Sequence, residues 1–341
     1  MPTQPQVWLL TGISPSPSLG LSLLHALSSR GVLVLATGRS LTTRLPSPPH
    51  NVTLFDLDVT SPLPQIQSTI AAALAVHGRI DVLINNAGVS RLATLEEMDE
   101  DAMREVMEVN FWGAVKVTRA VLAAGMRERG EGTVVFVGAG MGWVGLPFLG
   151  GYSVSKAAVS SECQLPSRGF LFCCGGEVLV LVVVQGLTNK STYAVFAESL
   201  QKEITPLGLR SVIFEPGGFD SDLTVSREGG APFAQPPQAE EYIDLFSKTF
   251  GSGGIPPSPG DVSRMADAII DVVTGEGLAK GRPFPVRVVL GPDALDAVRQ
   301  KCNEQLQLLD TWEDVSLSVM YEGRRETSRW LLDGCSMLNK S

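Results

Sequence analysis

Short apolar runs alternate along the chain with longer segments in which apolar residues recur every three or four positions. Continuous apolar runs are typical of buried strands, and the longer periodicity is typical of amphipathic helices. The runs predict seven strands, at 7–10, 32–36, 52–55, 81–84, 132–137, 209–214 and 286–290. The periodicity predicts helices at 19–30, 63–77, 101–127 and 262–274, the last of them with Asp261 as its N-cap.

Strands that are apolar on both faces and alternate with helices indicate a parallel sheet that is covered on both sides. We therefore predict an α/β protein with a doubly wound, mostly parallel seven-stranded sheet of the Rossmann type. Such sheets bind their ligands at the carboxyl ends of the strands, so the loops that follow the strands are where functional residues are expected.

Charge and composition exclude several classes of partner. The 341 residues carry a net charge of −9, which argues against nucleic acid and against an anionic membrane, because both require a basic face. The most apolar run, 178–184, is too short to span a bilayer. Neither metal-ligand nor disulfide spacing is found among the five cysteines, at 163, 173, 174, 302 and 335. With no secretion signal at the start, we expect a cytoplasmic protein with reduced thiols and no metal.

Four short motifs follow the predicted strands in a fixed order. They are Thr11-Gly12, Asn85-Asn86-Ala87-Gly88, Asn110 and Tyr152-x-x-x-Lys156. In this order and at these spacings they resemble the short-chain dehydrogenase/reductase family, and within it a branch with a longer C-terminal tail found in fungi and bacteria. The resemblance covers roughly residues 6–159 and 193–315. It implies an oxidoreductase that uses a nicotinamide cofactor to interconvert a carbonyl and an alcohol.

The resemblance implies that the cofactor is NADP(H), with NAD less favoured. An Asp that would select NAD is replaced by Gly38, and the next residue, Arg39, suits a 2′-phosphate because a guanidinium pairs well with phosphate. The other implied cofactor contacts are Thr11, Gly12, Ile13, Gly20, Asp58, Val59, Asn86, Ala87, Gly88, Asn110, Tyr152, Lys156, Pro216, Gly217 and Ser221. A solvated surface role for Arg39 and a structural role for 85–88 are the alternatives.

The first glycine-rich turn departs from the pattern of the family. It is longer by two residues, and Ser18 stands where the middle glycine is expected. Glycines at this turn let the backbone approach the cofactor pyrophosphate at a helix N-terminus. Serine hydroxyls and backbone amides of the longer loop are able to make the same contacts, and an ordinary loop without this function is the alternative.

Tyr152 and Lys156 lie one helical turn apart and therefore share a face. A neighbouring ammonium favours the phenolate, so we expect a lowered pKa for Tyr152 and a role as general acid/base. The resemblance implies that Lys156 also holds the nicotinamide ribose and that Asn110 supports a water relay.

The fourth catalytic residue of the family, a Ser that donates to the developing oxyanion, corresponds here to Ala139. No Ser or Thr occurs between 138 and 151 to replace it. Loss of one such donor costs about 10²–10³ in rate. We therefore expect a weakened enzyme, and the alternative is a pseudoenzyme that binds nucleotide or a partner without turnover.

Residues 160–192 interrupt the predicted helix that carries Tyr152. They contain Pro166, three cysteines, a glycine pair and the β-prone run 178–184, all foreign to a helix interior, and removal of about 34 residues joins two helical halves in phase. A retained intron in the gene model is one explanation, and an inserted loop or strand is the other. A third hypothesis is that the insert prevents folding. If the insert does not block the helix face that forms the interface, the resemblance implies a homodimer or homotetramer.

The remaining organisation is predicted to be simple. Residues 1–315 form one Rossmann-type domain, within which 219–260 are the variable substrate lid. Residues 316–341 are a mobile C-terminal tail or a second error of the gene model. The substrate is expected to be a small-molecule carbonyl or alcohol whose identity the sequence leaves open.

Overall fold

A seven-stranded parallel sheet lies at the centre of the computed structural model, which describes residues 4–14, 18–159, 196–219, 236–250 and 260–319. The strands are β1 (Val7–Leu10), β2 (Leu33–Gly38), β3 (Val52–Asp56), β4 (Val82–Asn85), β5 (Gly132–Val137), β6 (Leu209–Pro216) and β7 (Arg287–Leu290). Their order across the sheet is β3-β2-β1-β4-β5-β6-β7, and every neighbouring pair is parallel. The predicted doubly wound fold is confirmed.

Helices cover both faces of the sheet. They are α1 (Leu19–Ser29), α2 (Leu41–Arg44), α3 (Leu63–His77), α4 (Glu100–Met107), α5 (Ala114–Val121), α6 (Arg127–Arg129), α7 (Gly150–Val159), α8 (Phe196–Ile204), α9 (Ile243–Phe250), α10 (Val262–Thr274), α11 (Pro292–Thr311) and α12 (Glu313–Ser318). Residues 316–318 of the tail predicted at 316–341 belong to α12, and 320–341 lie outside the described residues. The insert predicted at 160–192 lies outside the described residues, as do 220–235 and 251–259 of the predicted lid.

The helix predicted over 101–127 is interrupted twice. π-helical turns occupy Glu108–Gly113 and Leu122–Met126. At the second, Gly125 has a non-helical φ of 117°. At the first, a Cβ on Gly113 would lie 2.7 Å from Cγ2 of Val59, so the helix passes close to the loop after β3. Single-turn π segments of this kind often occur at functional sites, and Asn110 lies in the first one.

Side-chain alternation along each strand divides the core into two apolar layers. In β1, Val7 and Leu9 pack into the layer beneath α3 and α5, whereas Trp8 and Leu10 pack into the layer beneath α1 and α10. All four are buried, because strand side chains point alternately to the two faces and both faces are covered. The sheet therefore holds its carboxyl ends rigidly in one row.

Asp261 caps α10 as the sequence predicts. Its Oδ1 accepts hydrogen bonds from the backbone N–H groups of Ser263 (2.8 Å) and Arg264 (3.2 Å). The helix ends at Gly275, whose φ of 72° is left-handed. The cap satisfies N–H groups that have no partner within the helix, and so fixes the start of a helix that buries six side chains against the sheet and α1.

We expect Asp261→Ala to lower the free energy of unfolding by about 1 kcal/mol, whereas Asp261→Asn retains most of the stability because Asn is an equally good cap. Urea denaturation measures both variants. Ser263→Ala is the matched control, since its exposed side chain lies in the same turn. Equal losses in the Ala and Asn variants would contradict the capping role.

Candidate active site

The carboxyl ends of β1 and β4 are joined by a dense set of hydrogen bonds. Thr11 Oγ1 donates to the carbonyl of Ile84 (3.3 Å) and accepts from the backbone N–H groups of Asn86 (3.0 Å) and Ala87 (3.2 Å). Asn86 Nδ2 donates to the carbonyls of Thr11 (3.0 Å) and Gly12 (3.2 Å). The predicted cofactor motifs after β1 and β4 therefore meet at the point where the strand order reverses, which is where such sheets bind nucleotides.

Glycines in this crevice have no room for side chains. Gly12 has a φ of +72°, and a Cβ there would overlap Cα of Ala87. A Cβ on Gly20 would lie 2.9 Å from Asn86 Nδ2. At the end of β2, a Cβ on Gly38 would lie only 2.6 Å from the carbonyl oxygen of Ile13. An Asp at position 38, the residue that would select NAD, is therefore excluded sterically unless the first loop moves.

Ser18 is the N-cap of α1. Its buried hydroxyl accepts from Leu21 N (3.3 Å) and donates to the carbonyl of Ser14 (3.4 Å). The residue that replaces the expected glycine thus orders the N-terminus of the helix that faces the crevice. Residues 15–17 of this longer turn lie outside the described part of the chain.

The remaining residues predicted near the adenosine half differ in exposure. Arg39 is exposed and follows β2 directly. Asp58 Oδ1 accepts from the backbone N–H (2.9 Å) and the hydroxyl (2.7 Å) of Thr60. Val59 is buried in the core against Gly113. Val59 therefore packs in the core, in addition to the contact with the cofactor that the sequence predicts for it.

Asn110, Tyr152 and Lys156 are brought together above β4 and β5. Asn110 Oδ1 accepts from Val89 N (2.8 Å), and its Nδ2 donates to Val89 O (2.9 Å) and to Ser155 Oγ (2.8 Å). Ser155 Oγ donates to the carbonyl of Tyr152 (2.7 Å). Sequence reasoning missed Ser155. The sequence feature that could have identified it is its position three residues after Tyr152, on the turn between the two predicted catalytic residues.

Lys156 lies beside Asn110 and below Tyr152. Its Nζ donates to the carbonyl of Val137 at the end of β5 (2.8 Å) and lies 5.8 Å from the centroid of the Tyr152 ring. A Cβ on Gly88 would be 3.5 Å from Asn110 Oδ1 and 3.6 Å from Lys156 Nζ. Gly88 therefore leaves open the space that both polar atoms face.

The expected lowering of the Tyr152 pKa is wrong for this structure. Burial raises the pKa of Tyr152 above its ordinary value of 10.0, and burial lowers the pKa of Lys156 to about 8. Both side chains have lost water, and desolvation disfavours the charged form of each. The phenol is therefore neutral at physiological pH, with a mostly protonated amine beside it.

Ala139 lies in an apolar cluster directly after β5. It is buried with Tyr152, Phe148, Leu149, Phe246 and Phe250. The loop continues as a 3₁₀ turn, Gly140–Gly142, and a Cβ on Gly140 would lie 2.9 Å from Cβ of Ala294 in α11. The methyl group of Ala139 thus contributes to an apolar wall beside the phenol.

A buried polar cluster anchors the loop that carries Ala139. Trp143 Nε1 donates to Glu215 Oε1 (2.9 Å), and the guanidinium of Arg287 lies 4.8 Å from the centroid of the Trp143 ring. Arg287 also lies 3.6 Å from carboxylate oxygens of Glu215 and Glu198. This cluster joins the loop to β6, β7 and α8. No sequence pattern predicts this cluster, because its members are far apart along the chain.

The turn after β6 is held by the end of β7 and by the first turn of α11. Gly217 N donates to the carbonyl of Leu290 (2.8 Å), and Gly218 N donates to Asp293 Oδ2 (2.7 Å). Gly217 and the adjoining Pro216 therefore have a fixed position at the carboxyl edge of the sheet. Ser221, the last predicted cofactor contact, lies outside the described residues.

The pKa of Lys156 predicts how stability depends on pH. Between pH 8 and 10.5 the unfolded chain binds a proton at Lys156 that the folded chain has released. The free energy of unfolding of the parent should therefore rise with pH in this window relative to Lys156→Met, by up to about 1.4 kcal/mol per pH unit. Below the window the full penalty for burying the ammonium is present.

Urea denaturation at several pH values measures this difference. Tyr152→Phe is the matched control, because it retains Lys156 and should therefore retain the pH dependence up to pH 10. Above its ordinary value of 10.0, the raised pKa of Tyr152 acts in the opposite direction and lowers the stability of the parent. Parallel curves for the parent and Lys156→Met between pH 8 and 10 would show that the lysine is not desolvated.

The described part of the chain offers neither a cluster of metal ligands nor a helix that could span a membrane. No group of three or more His, Cys, Asp or Glu side chains there is arranged to hold a metal ion. None of the described helices is both long enough and apolar enough to cross a membrane.

Comparison with known proteins gives related sequences. A family model described as short chain dehydrogenase matches residues 6–164. Oxidoreductase BOA17 of Botryotinia fuckeliana is 28% identical over 320 residues, which cover 92% of this chain and 98% of that protein. The 3-ketodihydrosphingosine reductase of Bacteroides thetaiotaomicron is 27% identical over 246 residues, which cover 72% of this chain and 75% of that protein.

Solved structures share the fold. A short-chain dehydrogenase from Streptomyces avermitilis superposes with a TM-score of 0.70 at 28% identity, over 94% of this chain and 100% of that one. A short-chain dehydrogenase from Burkholderia cenocepacia in complex with NADP superposes with a TM-score of 0.60 at 23% identity, over 91% and 98%. At the lower identity the similarity concerns the fold alone.

Proposed function

This chain belongs to the short-chain dehydrogenase/reductase family, and on that premise we propose that it interconverts a small-molecule carbonyl and its alcohol with NADP(H). The observation that carries the proposal is the grouping of Tyr152, Lys156 and Asn110 beside the nucleotide crevice. Lys156 Nζ lies 5.8 Å from the centroid of the Tyr152 ring, and Asn110 holds the same helical turn through Ser155. An acid/base centre is thus combined with a dinucleotide-type crevice.

The crevice is proposed to take a dinucleotide. Gly12 and Gly20 let the segments after β1 and β4 pack closely at its base, and the N-terminus of α1 supplies N–H groups for a pyrophosphate. The proposed contacts there are Thr11, Gly12, Ile13 and Gly20, followed by Asp58, Val59, Asn86, Ala87 and Gly88. Towards the nicotinamide they are Asn110, Tyr152, Lys156, Pro216 and Gly217, with Ser221 beyond the described residues.

The side chains divide the proton chemistry between them. When bound, the cofactor supplies or accepts the hydride. Tyr152, neutral because burial raises its pKa, holds the proton that passes to the carbonyl oxygen during reduction. Lys156 stabilises the phenolate that this transfer leaves, as an ammonium within the same buried site. Asn110 fixes the turn that carries both residues and supports the proposed water relay.

Ala139 leaves this centre without its usual oxyanion donor. The protein is therefore proposed to be a weakened enzyme. A pseudoenzyme that binds nucleotide without turnover is the second candidate, and the apolar surroundings of Ala139 are the observation that favours it.

Restoring the hydroxyl tests this proposal. We expect Ala139→Ser to raise kcat by about 10²–10³, because it adds one donor to the developing oxyanion. Ala139→Cys is the matched control, since a thiol of similar size is only a weak donor. NADPH oxidation with a panel of ketones and aldehydes measures both, and Tyr152→Phe should abolish turnover in either background.

An unchanged kcat in a folded Ala139→Ser protein would contradict the proposed role of the missing oxyanion donor. A parent without turnover that becomes active in the Ala139→Ser variant would identify the pseudoenzyme.

Selection of NADP over NAD is proposed to depend on the end of β2. The carbonyl of Ile13 leaves room only for glycine at position 38, and the exposed Arg39 follows it. A guanidinium forms charge-assisted hydrogen bonds with a phosphate, whereas a neutral ribose hydroxyl is a weaker acceptor for it. Both features support a preference for the 2′-phosphate of NADP.

We expect Arg39→Ala to raise the Kd for NADPH by about tenfold or more and to leave that for NADH nearly unchanged, because one charged hydrogen-bond partner is lost. Fluorescence titration of both cofactors measures the change. Arg44→Ala removes the same charge from an exposed position nearby and is the matched control. Equal weakening of NADPH and NADH would contradict the proposed selectivity.

We further propose a single domain over 1–315, a cytoplasmic location, and a homodimer or homotetramer formed through the face of α7, the helix that precedes the insert at 160–192 in the sequence.

A further inference from the structure

Three phenylalanines pack ring against ring above the acid/base centre. Phe148 lies 5.4 Å from Phe246 and 5.9 Å from Phe250 between ring centroids, and the latter two rings are 5.1 Å apart. All three are less than a tenth exposed. We refer to Phe148, Phe246 and Phe250 as the aromatic cap. Phe246 and Phe250 share one face of α9, four residues apart.

The cap is held in place from two directions. Phe148 has a φ of +67°, a left-handed conformation that a bulky residue keeps only where its surroundings fix it. Its carbonyl accepts from Ala93 N (2.9 Å). The segment before α9 is held by the loop after β4, which contains both Ala93 and Glu97. The backbone N–H of Ala239 donates to Glu97 Oε1 (2.8 Å). Strained backbone of this kind concentrates at functional sites.

The surface beneath the cap is apolar as well. Ala139 and Leu149 are buried beside Tyr152, and Leu92 and Met141 pack against the same cluster. Tyr152 is itself only 6% exposed. A substrate that brings its carbonyl to the phenol must therefore take the place of part of this packing.

We propose that the aromatic cap selects ketones or alcohols whose reacting carbon carries a flat apolar group, such as an aryl ring, and that Phe246 and Phe250 determine this specificity. The inference rests on the proposed function, because it names the substrate class of the same site. An aryl group restores the buried contacts that it displaces and can meet the rings of the cap edge to face, as they meet one another. A hydroxylated substrate loses water to an apolar surface, which disfavours its binding.

Steady-state kinetics with NADPH and two ketones test the proposal. Acetophenone carries an aryl group, and hydroxyacetone is small and polar. The parent should have the larger kcat/KM for acetophenone, and Phe246→Ala and Phe250→Ala should each lower the ratio of the two kcat/KM values by about tenfold or more. Leu245→Ala is the matched control, because Leu245 lies on α9 but is 42% exposed, and it should leave the ratio unchanged.

A parent that favours hydroxyacetone would overturn the inference, and so would Phe variants that slow both ketones equally. Where Phe246→Ala does not fold, Phe246→Leu keeps the apolar volume while removing the ring. In that variant the preference for acetophenone over 2-octanone should fall, since only the aryl ketone gains from ring contacts. An unchanged preference in Phe246→Leu would also contradict the role of the ring.

Equilibrium binding separates this inference from the proposed function. Calorimetric titration of acetophenone into the parent requires no turnover. If no carbonyl is reduced, but acetophenone binds and Phe246→Ala weakens its binding while Leu245→Ala does not, the proposed function fails and the ligand class stands. If acetophenone does not bind to the parent, or binds equally to Phe246→Ala, the inference fails whether or not the protein is an enzyme.

Discussion

The close approach of the backbones after β1 and β4 is the constraint on which the site depends. Thr11 and Asn86 bind the two chain segments to each other, and Gly12 permits a separation that any side chain would prevent. Because these strands lie on either side of the point where the strand order reverses, their junction forms the floor of the proposed nucleotide crevice. Gly88, at the end of the same junction, then opens the space that Asn110 and Lys156 face.

The loops around this floor are each held by more than one element. The turn with Ala139 is anchored by Trp143 to the buried Glu215 and the partly buried Arg287, and Gly140 packs against α11. None of these contacts involves the side chain at position 139. In the proposed enzyme, Ala in place of Ser at this position would therefore remove a donor from the chemistry without removing a support from the fold.

Periodicity and short motifs were enough to predict the sheet and the clustering of the site, because both depend on local sequence and on the geometry of parallel strands. Each predicted strand ends within two residues of the observed one. The raised pKa of Tyr152, the hydrogen bond from Asn110 to Ser155, and the aromatic cap were not predictable in this way. They depend on burial and on contacts between residues far apart in the chain, which no single stretch of sequence records. The capping role of Ser18 could have been predicted, since Ser is a favoured N-cap at the start of a helical pattern.

The position of α11 has a consequence for the length of chain that the protein needs. Asp293 and Ala294, in its first turn, contact the loops after β6 and β5 on the ligand side of the sheet. A chain that stopped at Leu290 would contain all seven strands and both apolar layers, and yet would lack the contacts that position two of its loops. The residues that complete the two apolar layers and the residues that position these loops therefore end at different points along the chain. The segment beyond the sheet belongs to the working part of the protein.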